Sequence, residues 1–268
     1  MKTGYHAVYP DSFFDGITDA RKYGFDFVQF DLGVPTFFID GLTKEDLREI
    51  KICAGDNGVE ITFHAPGDNV SLFCDYPLIR KGILDEFKLI LEKADFLGAR
   101  HITFHAGIYP RFKKSGFKEY DFYLTHYEEV FYENLKELLN NCGKILICME
   151  NSSLDALMRR VLKKLIDEKQ PLFLTLDTAK LYSNRNCVEI IKEDSDFFSQ
   201  NKALIREIHI HDMNAEFGSH QIVGTGGVDF NLFRAFFGEN TYINFEVRPV
   251  GAANESKDNL AKIYNIGV

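Results

Sequence analysis

The stretch EIHIHD, residues 207–212, alternates polar and apolar side chains in the manner of a β-strand. Successive side chains of a strand point to opposite faces, so Glu207, His209 and His211 share one face and the two isoleucines share the other. A half-exposed strand of an antiparallel sheet would have the same pattern. The class of fold therefore depends on whether the polar face meets water or is buried.

Seven other strand-like runs alternate with helical patterns along the chain. Together the eight runs lie near residues 3–8, 27–32, 60–64, 101–105, 145–150, 172–177, 206–211 and 242–246. Helices are expected near residues 11–23, 43–57, 77–97, 125–141, 154–168, 184–202 (a broken helix), 231–237 and 254–264. Eight strands that alternate with helices indicate a parallel sheet, and eight is the number that closes a (β/α)₈ barrel.

An open doubly wound sheet is the competing architecture. It more often has a glycine-rich first turn, and no such turn follows the early strands of this chain. No linker and no shift in composition marks a domain boundary. We therefore predict an α/β protein with the TIM-barrel fold, a (β/α)₈ barrel of one domain over residues 1–268.

The polar–apolar alternation of residues 207–212 recurs in the other strands, although buried parallel strands are normally continuous aliphatic runs. One phase is apolar throughout. The other phase carries Gln29, Asp31, Thr62, His64, Thr103, His105, Glu150, Thr175, Asp177, His209, His211, Asn244 and Glu246. If the apolar phase packs against the helices, the polar phase points into the barrel, where unpaired polar groups are costly. The interior is therefore expected to hold a polar site.

Acidic and histidine residues also recur at or near the ends of six successive strands. They are His64, His105, Glu150, Asp177, His209 or His211, and Glu246. Active sites of (β/α)₈ barrels are built at the C-terminal strand ends. Within this set, the carboxylates of Glu150, Asp177 and Glu246 and the imidazole of His209 suit Mn²⁺, Mg²⁺, Co²⁺ or Zn²⁺, with positions left open for substrate. The alternative is an ion network in which these acids pair with Lys180, Arg206 and Arg248.

Composition narrows the class of function. The formal net charge of −9 speaks against a nucleic-acid-binding protein, which requires a basic surface. The five cysteines form no C-x-x-C pair and are expected to be reduced thiols. The N-terminus lacks the apolar core of a signal peptide, and no run approaches the length of a membrane span. A cytoplasmic protein without membrane contact is predicted.

Seven short motifs between residues 61 and 249 resemble the xylose-isomerase-like barrel superfamily. They are ITFHAP, ITFHAG, CMENSS, LTLDTAK, IHIHD, SHQIVGTG and NFEVRP. That superfamily includes sugar and sugar-phosphate isomerases and epimerases, and also endonuclease IV. The resemblance implies a divalent metal ion held by Glu150, Asp177, His209 and Glu246. It further implies that Glu150 and Glu246 act as acid and base catalysts on the two faces of a sugar.

The nuclease branch implies a fuller ligand set. Its two early histidines match His64 and His105, and the histidine before its Gly-x-Gly loop matches His220. Its two remaining ligand positions carry Lys180 and Gly218 here. A third metal would keep only His220, which is too few ligands to hold it. Together with the acidic charge, this argues against nucleic acid as a partner. An endonuclease IV-like phosphoesterase acting on abasic DNA is the alternative hypothesis.

The sugar branch implies proton abstraction next to a carbonyl, through a metal-stabilised enediolate. The substrate is expected to be a sugar, a sugar phosphate or a cyclic polyol, and a dehydratase would use the same groups. His64, His105 and His220 are candidates for a second metal ion or for substrate contact. Candidates for substrate binding are Lys180, Arg248, His211, Asp31 and His6. Lys180 and Arg248 either contact substrate oxygens or compensate the acids.

Three further expectations concern the surroundings of the site. The loop of residues 107–118 either closes over the sugar, grips a phosphate, or is a solvated surface loop. His101 and His126 are expected to be structural. A non-catalytic carbohydrate-binding barrel is the third hypothesis for function. Relatives in the superfamily often pair or form tetramers, which implies a homodimer or homotetramer here.

Overall fold

The computed structural model describes residues 1–67, 70–109, 119–152 and 154–265. Its strands are β1 (Lys2–Ala7), β2 (Phe27–Asp31), β3 (Glu60–His64), β4 (His101–Phe104), β5 (Leu146–Glu150), β6 (Leu172–Asp177), β7 (Ile205–Ile210), the hairpin strands β8 (Asp212–Asn214) and β9 (Gly218–Gln221), and β10 (Tyr242–Phe245). Strands β1 to β7 and β10 form a closed parallel barrel in which β10 pairs with β1. Each barrel strand ends within one residue of its expected bounds, so the (β/α)₈ fold is confirmed.

The outer layer of the barrel is helical. Its α-helices are α1 (Phe13–Lys22), α2 (Lys44–Asn57), α3 (Pro77–Leu97), α4 (Glu119–Leu139), α5 (Ala156–Asp167), α6 (Lys192–Gln200) and α7 (Val250–Tyr264). A capping box between Thr43 and Asp46 begins α2, and left-handed glycines at Gly58 and Gly98 end α2 and α3. None of these described helices is long and apolar enough to cross a lipid bilayer.

Two helices begin earlier than the sequence pattern indicated. Helix α4 begins at Glu119, so that Thr125, the expected start, lies inside the helix. Helix α7 begins at Val250 rather than near residue 254, directly after Pro249. Pro249 is the N-cap residue of α7, a position where the missing N–H of proline costs no intrahelical hydrogen bond.

Two other segments are not the α-helices that were expected. Phe230–Phe236 is a 3₁₀ helix, and its buried residues Phe230, Phe233 and Phe236 recur at every third position. That spacing suits three residues per turn, which explains the departure. Residues 184–191 contain no helix, because Ile190 forms a β-bridge with Tyr182.

The two side-chain phases of the barrel strands occupy different layers, as the alternation predicted. The apolar phase faces the helices: Phe104 of β4 packs edge-on against Phe87 of α3, with ring centroids 5.1 Å apart. The polar phase fills the interior, where Nε2 of Gln29 in β2 donates to the Glu207 carboxylate in β7 at 2.9 Å. Since β2 and β7 are not neighbours, this bond crosses the barrel.

The chain beyond β7 is organised by Asp212. Its carboxylate accepts hydrogen bonds from the backbone N–H groups of Gly224, Gly226 and Val228, at 2.9, 2.8 and 3.0 Å. A Cβ atom at Gly226 would lie 2.3 Å from Asp212 Oδ1, so only glycine fits there. The β8–β9 hairpin, which the sequence pattern did not indicate, places His220 against the cavity at the barrel mouth.

Candidate functional site

The four residues expected to hold a metal ion converge at the C-terminal ends of β5, β6, β7 and β10. Glu150, Asp177, His209 and Glu246 are all buried. Nδ1 of His209 lies 3.1 Å from Glu246 Oε1 and 3.8 Å from Glu150 Oε1. One donor atom each from Glu150, Asp177 and His209 lies within 4.8 Å of the others. The structure thus brings the predicted set together, while its role as ligands stays a prediction.

The surroundings of His209 favour a positive charge, either a proton on the ring or a bound cation. Burial alone would lower its pKa, but Glu246 and Glu207 raise it to about 10. Neither ring nitrogen has a hydrogen-bond partner within the described part of the chain, although Nδ1 lies close to Glu246 and Nε2 lies close to Glu207. A buried nitrogen of this kind suits a bound cation, which would take the place of the imidazole proton.

Lys180 supplies the positive charge at the centre of the cluster. Its Nζ atom donates to Glu150 Oε1 and lies 3.1 Å from Asp177 Oδ2. Burial opposes the charge on Lys180, but Glu150 and Asp177 raise its pKa above the ordinary value. In the same way Lys180 and His105 hold the pKa of Glu150 well below its usual range against the effect of burial. Charge compensation, one of the two roles considered for Lys180, is therefore realised in this structure.

His64 and His105 approach Glu150 from its other side. Glu150 Oε2 lies 2.7 Å from Nε2 of His105 and 3.4 Å from Nε2 of His64. The two Nε2 atoms are 3.2 Å apart, and burial lowers the pKa of His64. Three donors within 4.8 Å of one another suit either a second ion that shares Glu150 or direct contact with substrate.

His211 and His220 form a third group of donors with Glu246. Nε2 of His211 lies 3.3 Å from Asp177 Oδ2, so this histidine is as close to the acids as His209 is. The side chain of His220 lies 3.8 Å from Glu246 Oε2, and burial lowers its pKa to about 4. By the resemblance to the nuclease branch, His220 was the only residue left to bind a third ion. The fold brings two further possible ligands, His211 and Glu246, close to it.

His6 connects two of the candidate residues. Its Nδ1 atom lies 3.2 Å from Glu246 Oε1, and its Nε2 atom lies 3.5 Å from Asp31 Oδ2. Burial opposes protonation of His6, but Asp31 and Glu246 raise its pKa. Nη2 of Arg248 lies 3.3 Å from His6 Nδ1. All five substrate-binding candidates therefore lie in or beside the acidic cluster.

A cavity of about 560 Å³ opens onto the cluster, a volume suited to a small molecule. Its polar lining includes His6, Asp31, His64, His105, Lys180, His220, Glu246 and Arg248. Leu32, Val34, Phe38 and Ile39 form an apolar wall on one side. Of the loop considered at residues 107–118, residues 110–118 lie outside the described part of the chain.

Glu207 and His101 were not predicted to belong to the site. Glu207 is fully buried one layer below His209, with its Oε2 atom 3.3 Å from His209 Nε2 and 3.1 Å from His101 Nε2. Both histidines hold the pKa of Glu207 below its usual range, although burial acts in the opposite direction. The sequence pattern that could have indicated Glu207 is the alternation of residues 207–212, which places it on the same strand face as His209 and His211. His126, by contrast, pairs with Asp75 at 2.8 Å away from the cluster, in agreement with a structural role.

A closed (β/α)₈ barrel with acids and imidazoles gathered at its C-terminal face has the architecture on which barrel enzymes build their active sites. A family model described as "Xylose isomerase-like TIM barrel" matches residues 17–263. The chain belongs to this family.

The chain is also similar to individual known proteins. The uncharacterized protein MJ1614 of Methanocaldococcus jannaschii is 32% identical over 183 residues, which are 66% of this chain and 65% of that protein. The chain thus spans less than two thirds of this curated relative's length. A solved D-tagatose 3-epimerase-like protein superimposes with a TM-score of 0.77 at 18% identity, over 99% of this chain and 97% of its own. The IolI protein, solved with a bound zinc atom, gives a TM-score of 0.70 at 14% identity, over 98% of each chain. At these identities the two solved structures establish the fold alone.

Proposed function

We propose that this protein is a divalent-metal-dependent isomerase or epimerase of a sugar, sugar phosphate or cyclic polyol. The observation that carries the proposal is the convergence of Glu150, Asp177, His209 and Glu246 at the C-terminal ends of the barrel strands, where Glu246 lines the cavity. Three buried carboxylates and a buried imidazole nitrogen form a donor set that fits Mn²⁺, Mg²⁺, Co²⁺ or Zn²⁺. Two proteins of similar fold support it: one is a D-tagatose 3-epimerase-like protein, and the other, IolI, was solved with a bound zinc atom.

A divalent ion held by these four residues would supply Lewis-acid polarisation of a carbonyl and its neighbouring hydroxyl. Glu150 and Glu246 would exchange a proton with the carbon next to that carbonyl, one on each face of the sugar. Both carboxylates are ionised, the form in which they can accept a proton: against the effect of burial, Lys180 lowers the pKa of Glu150 and His209 lowers that of Glu246. A dehydratase acting on a cyclic polyol would use the same groups: one carboxylate would take the proton next to the carbonyl, and the other would protonate the hydroxyl that leaves as water.

Other residues of the cavity would bind and orient the substrate. Lys180 and Arg248 carry N–H donors suited to sugar hydroxyls or a carbonyl oxygen. His64 and His105 would bind either substrate oxygens or a second ion that shares Glu150. The apolar wall offers a surface for the carbon skeleton of the substrate.

The test combines metal content with a substrate panel. We expect about one divalent ion per chain by elemental analysis, and interconversion of at least one ketose or polyol with solvent deuterium incorporated at the reacting carbon. Glu246→Gln should abolish the interconversion. Glu60→Gln is the matched control, because this carboxylate lies at the start of β3 and pairs with Lys2 and Arg100 away from the site. A folded protein free of metal, with no response to added Mn²⁺ or Co²⁺, would contradict the proposal.

A second candidate is an endonuclease IV-like phosphoesterase. It is favoured by one observation, which is that His211, His220 and Glu246 form a third donor group beside the other two. It requires two or more bound ions and cleavage of an abasic duplex under varied metals. Binding of a sugar without deuterium exchange would instead favour the non-catalytic carbohydrate-binding barrel.

A further inference from the structure

Below the four proposed ligands, the barrel interior holds a carboxylate in a fixed orientation. Glu207 has no exposed surface, and both of its oxygens accept from Nε2 of Gln29 at 2.9 Å. The Thr103 hydroxyl donates to Oε2 at 2.6 Å. Gln29 is itself oriented by Asn244, whose Nδ2 donates to Gln29 Oε1 at 2.6 Å. Donors from two other strands, β2 and β4, thus hold Glu207 as an acceptor.

One edge of this carboxylate faces His209. Glu207 Oε2 lies 3.3 Å from His209 Nε2, while Nδ1 of the same ring faces Glu246 at 3.1 Å. A neutral imidazole has one N–H donor and one nitrogen lone pair, and only the lone pair can bind a cation. Both ring nitrogens of His209 face a carboxylate, and neither has a hydrogen-bond partner among the described residues. Glu207 is already held as an acceptor by other strands, and a neutral ring that keeps its hydrogen on Nε2 can donate it there. Its lone pair is then on Nδ1, which faces the other acids.

We propose that Glu207 is a positioning residue of the metal centre, which fixes the tautomer and ring orientation of His209 so that Nδ1 binds the ion. The inference rests on the proposed metal dependence. Carboxylates that accept from the distal nitrogen of a ligating histidine raise its basicity and hold its ring in place. The competing explanation is that Glu207 only balances His101, which lies 3.1 Å from the same oxygen.

The two explanations differ in what happens to metal affinity. Apo-protein would be titrated with Zn²⁺ and with Co²⁺ by calorimetry, for the wild type, Glu207→Gln and His101→Gln. We expect Glu207→Gln to weaken binding roughly 10- to 100-fold, as for other partners of ligating histidines. His101→Gln is the matched control: it keeps a donor beside Glu207 and should leave the metal affinity unchanged. The melting temperature of each apo-protein would report any general loss of packing.

A second measurement tests the inference on the wild type, so it is possible even if Glu207→Gln does not fold. In the zinc-loaded wild type, ¹⁵N NMR of the histidine rings should show His209 protonated at Nε2 and bound through Nδ1. Binding through Nε2, or equal affinity of Glu207→Gln and wild type, would overturn the inference and leave the proposed function standing. A wild-type protein that binds neither ion would overturn both.

Discussion

Lys180 and a divalent ion require the same carboxylate oxygens, which leads to a quantitative prediction. The Lys180 ammonium contacts Glu150 Oε1 and Asp177 Oδ2, and both atoms belong to the proposed ligand set. A bound ion must therefore displace the ammonium before it gains these ligands. Lys180→Met removes the competitor and retains most of the aliphatic stem. We expect the variant to bind the ion more tightly than the wild type.

The magnitude follows from the geometry. Breaking a buried ion pair by removing one partner costs about 3–5 kcal/mol. The Lys180 side chain is 31% exposed, so its displaced ammonium regains water and recovers part of that energy. Taking roughly half leaves about 2 kcal/mol, and each 1.4 kcal/mol corresponds to a tenfold change in affinity. Metal binding should therefore tighten about 30-fold in Lys180→Met.

The assay is a calorimetric titration of apo-protein with Mn²⁺ or Zn²⁺, paired with melting curves. Without an ion, Lys180→Met should melt at a lower temperature than the wild type, because the buried carboxylates of Glu150 and Asp177 lose the ammonium that contacts them. Addition of the ion should raise the melting temperature by more in Lys180→Met than in the wild type. Lys163→Met is the control: Lys163 forms an exposed pair with Asp167 on α5, whose contribution is small. Equal or weaker metal binding by Lys180→Met would refute the competition.

Two further predictions concern the scaffold around the site. Gly226→Ala should destabilise the protein by roughly 1–3 kcal/mol, because its Cβ atom would overlap Asp212 Oδ1. Melting curves test this, with Gly41→Ala as control, since nothing lies within 4 Å of a Cβ there. Phe233→Ala, in the buried face of the 3₁₀ helix, should cost about 3–5 kcal/mol in denaturant unfolding. A loss below about 1 kcal/mol would mean that the 3₁₀ packing does not contribute as described.

Most of the fold could be predicted because its signals are local. Strand alternation depends only on the geometry of the extended chain, and it predicted both the eight strands and the inward phase. The segments whose structure differed from the expectation were decided by packing against the rest of the fold. The Phe230–Phe236 segment has the same hydrophobic residues as a short α-helix, and only packing favours the tighter 3₁₀ turn.

Most residues of the candidate site could be predicted from the sequence, but Glu207, His101 and the arrangement of the side chains could not. Glu150, Asp177 and Glu246 could be assigned because each lies at a strand end on the polar phase. Sequence reasoning ranked His209 above His211, whereas both lie within 3.3 Å of an acid in the structure. For Lys180 it left two roles open, because nothing in the sequence reports how far a flexible four-carbon stem reaches.

The sequence by itself determined the face of each strand residue, and therefore that a polar site lies inside a (β/α)₈ barrel. Only the tertiary structure decided which side chains meet at one level of that barrel. Asp177 pairs in register with His209, which pairs in turn with Asn244. Glu207 accordingly lies one layer deeper and meets Gln29 from across the barrel. The reason is physical: periodicity assigns a residue to a face, whereas its height along the barrel axis depends on the stagger between strands distant in sequence.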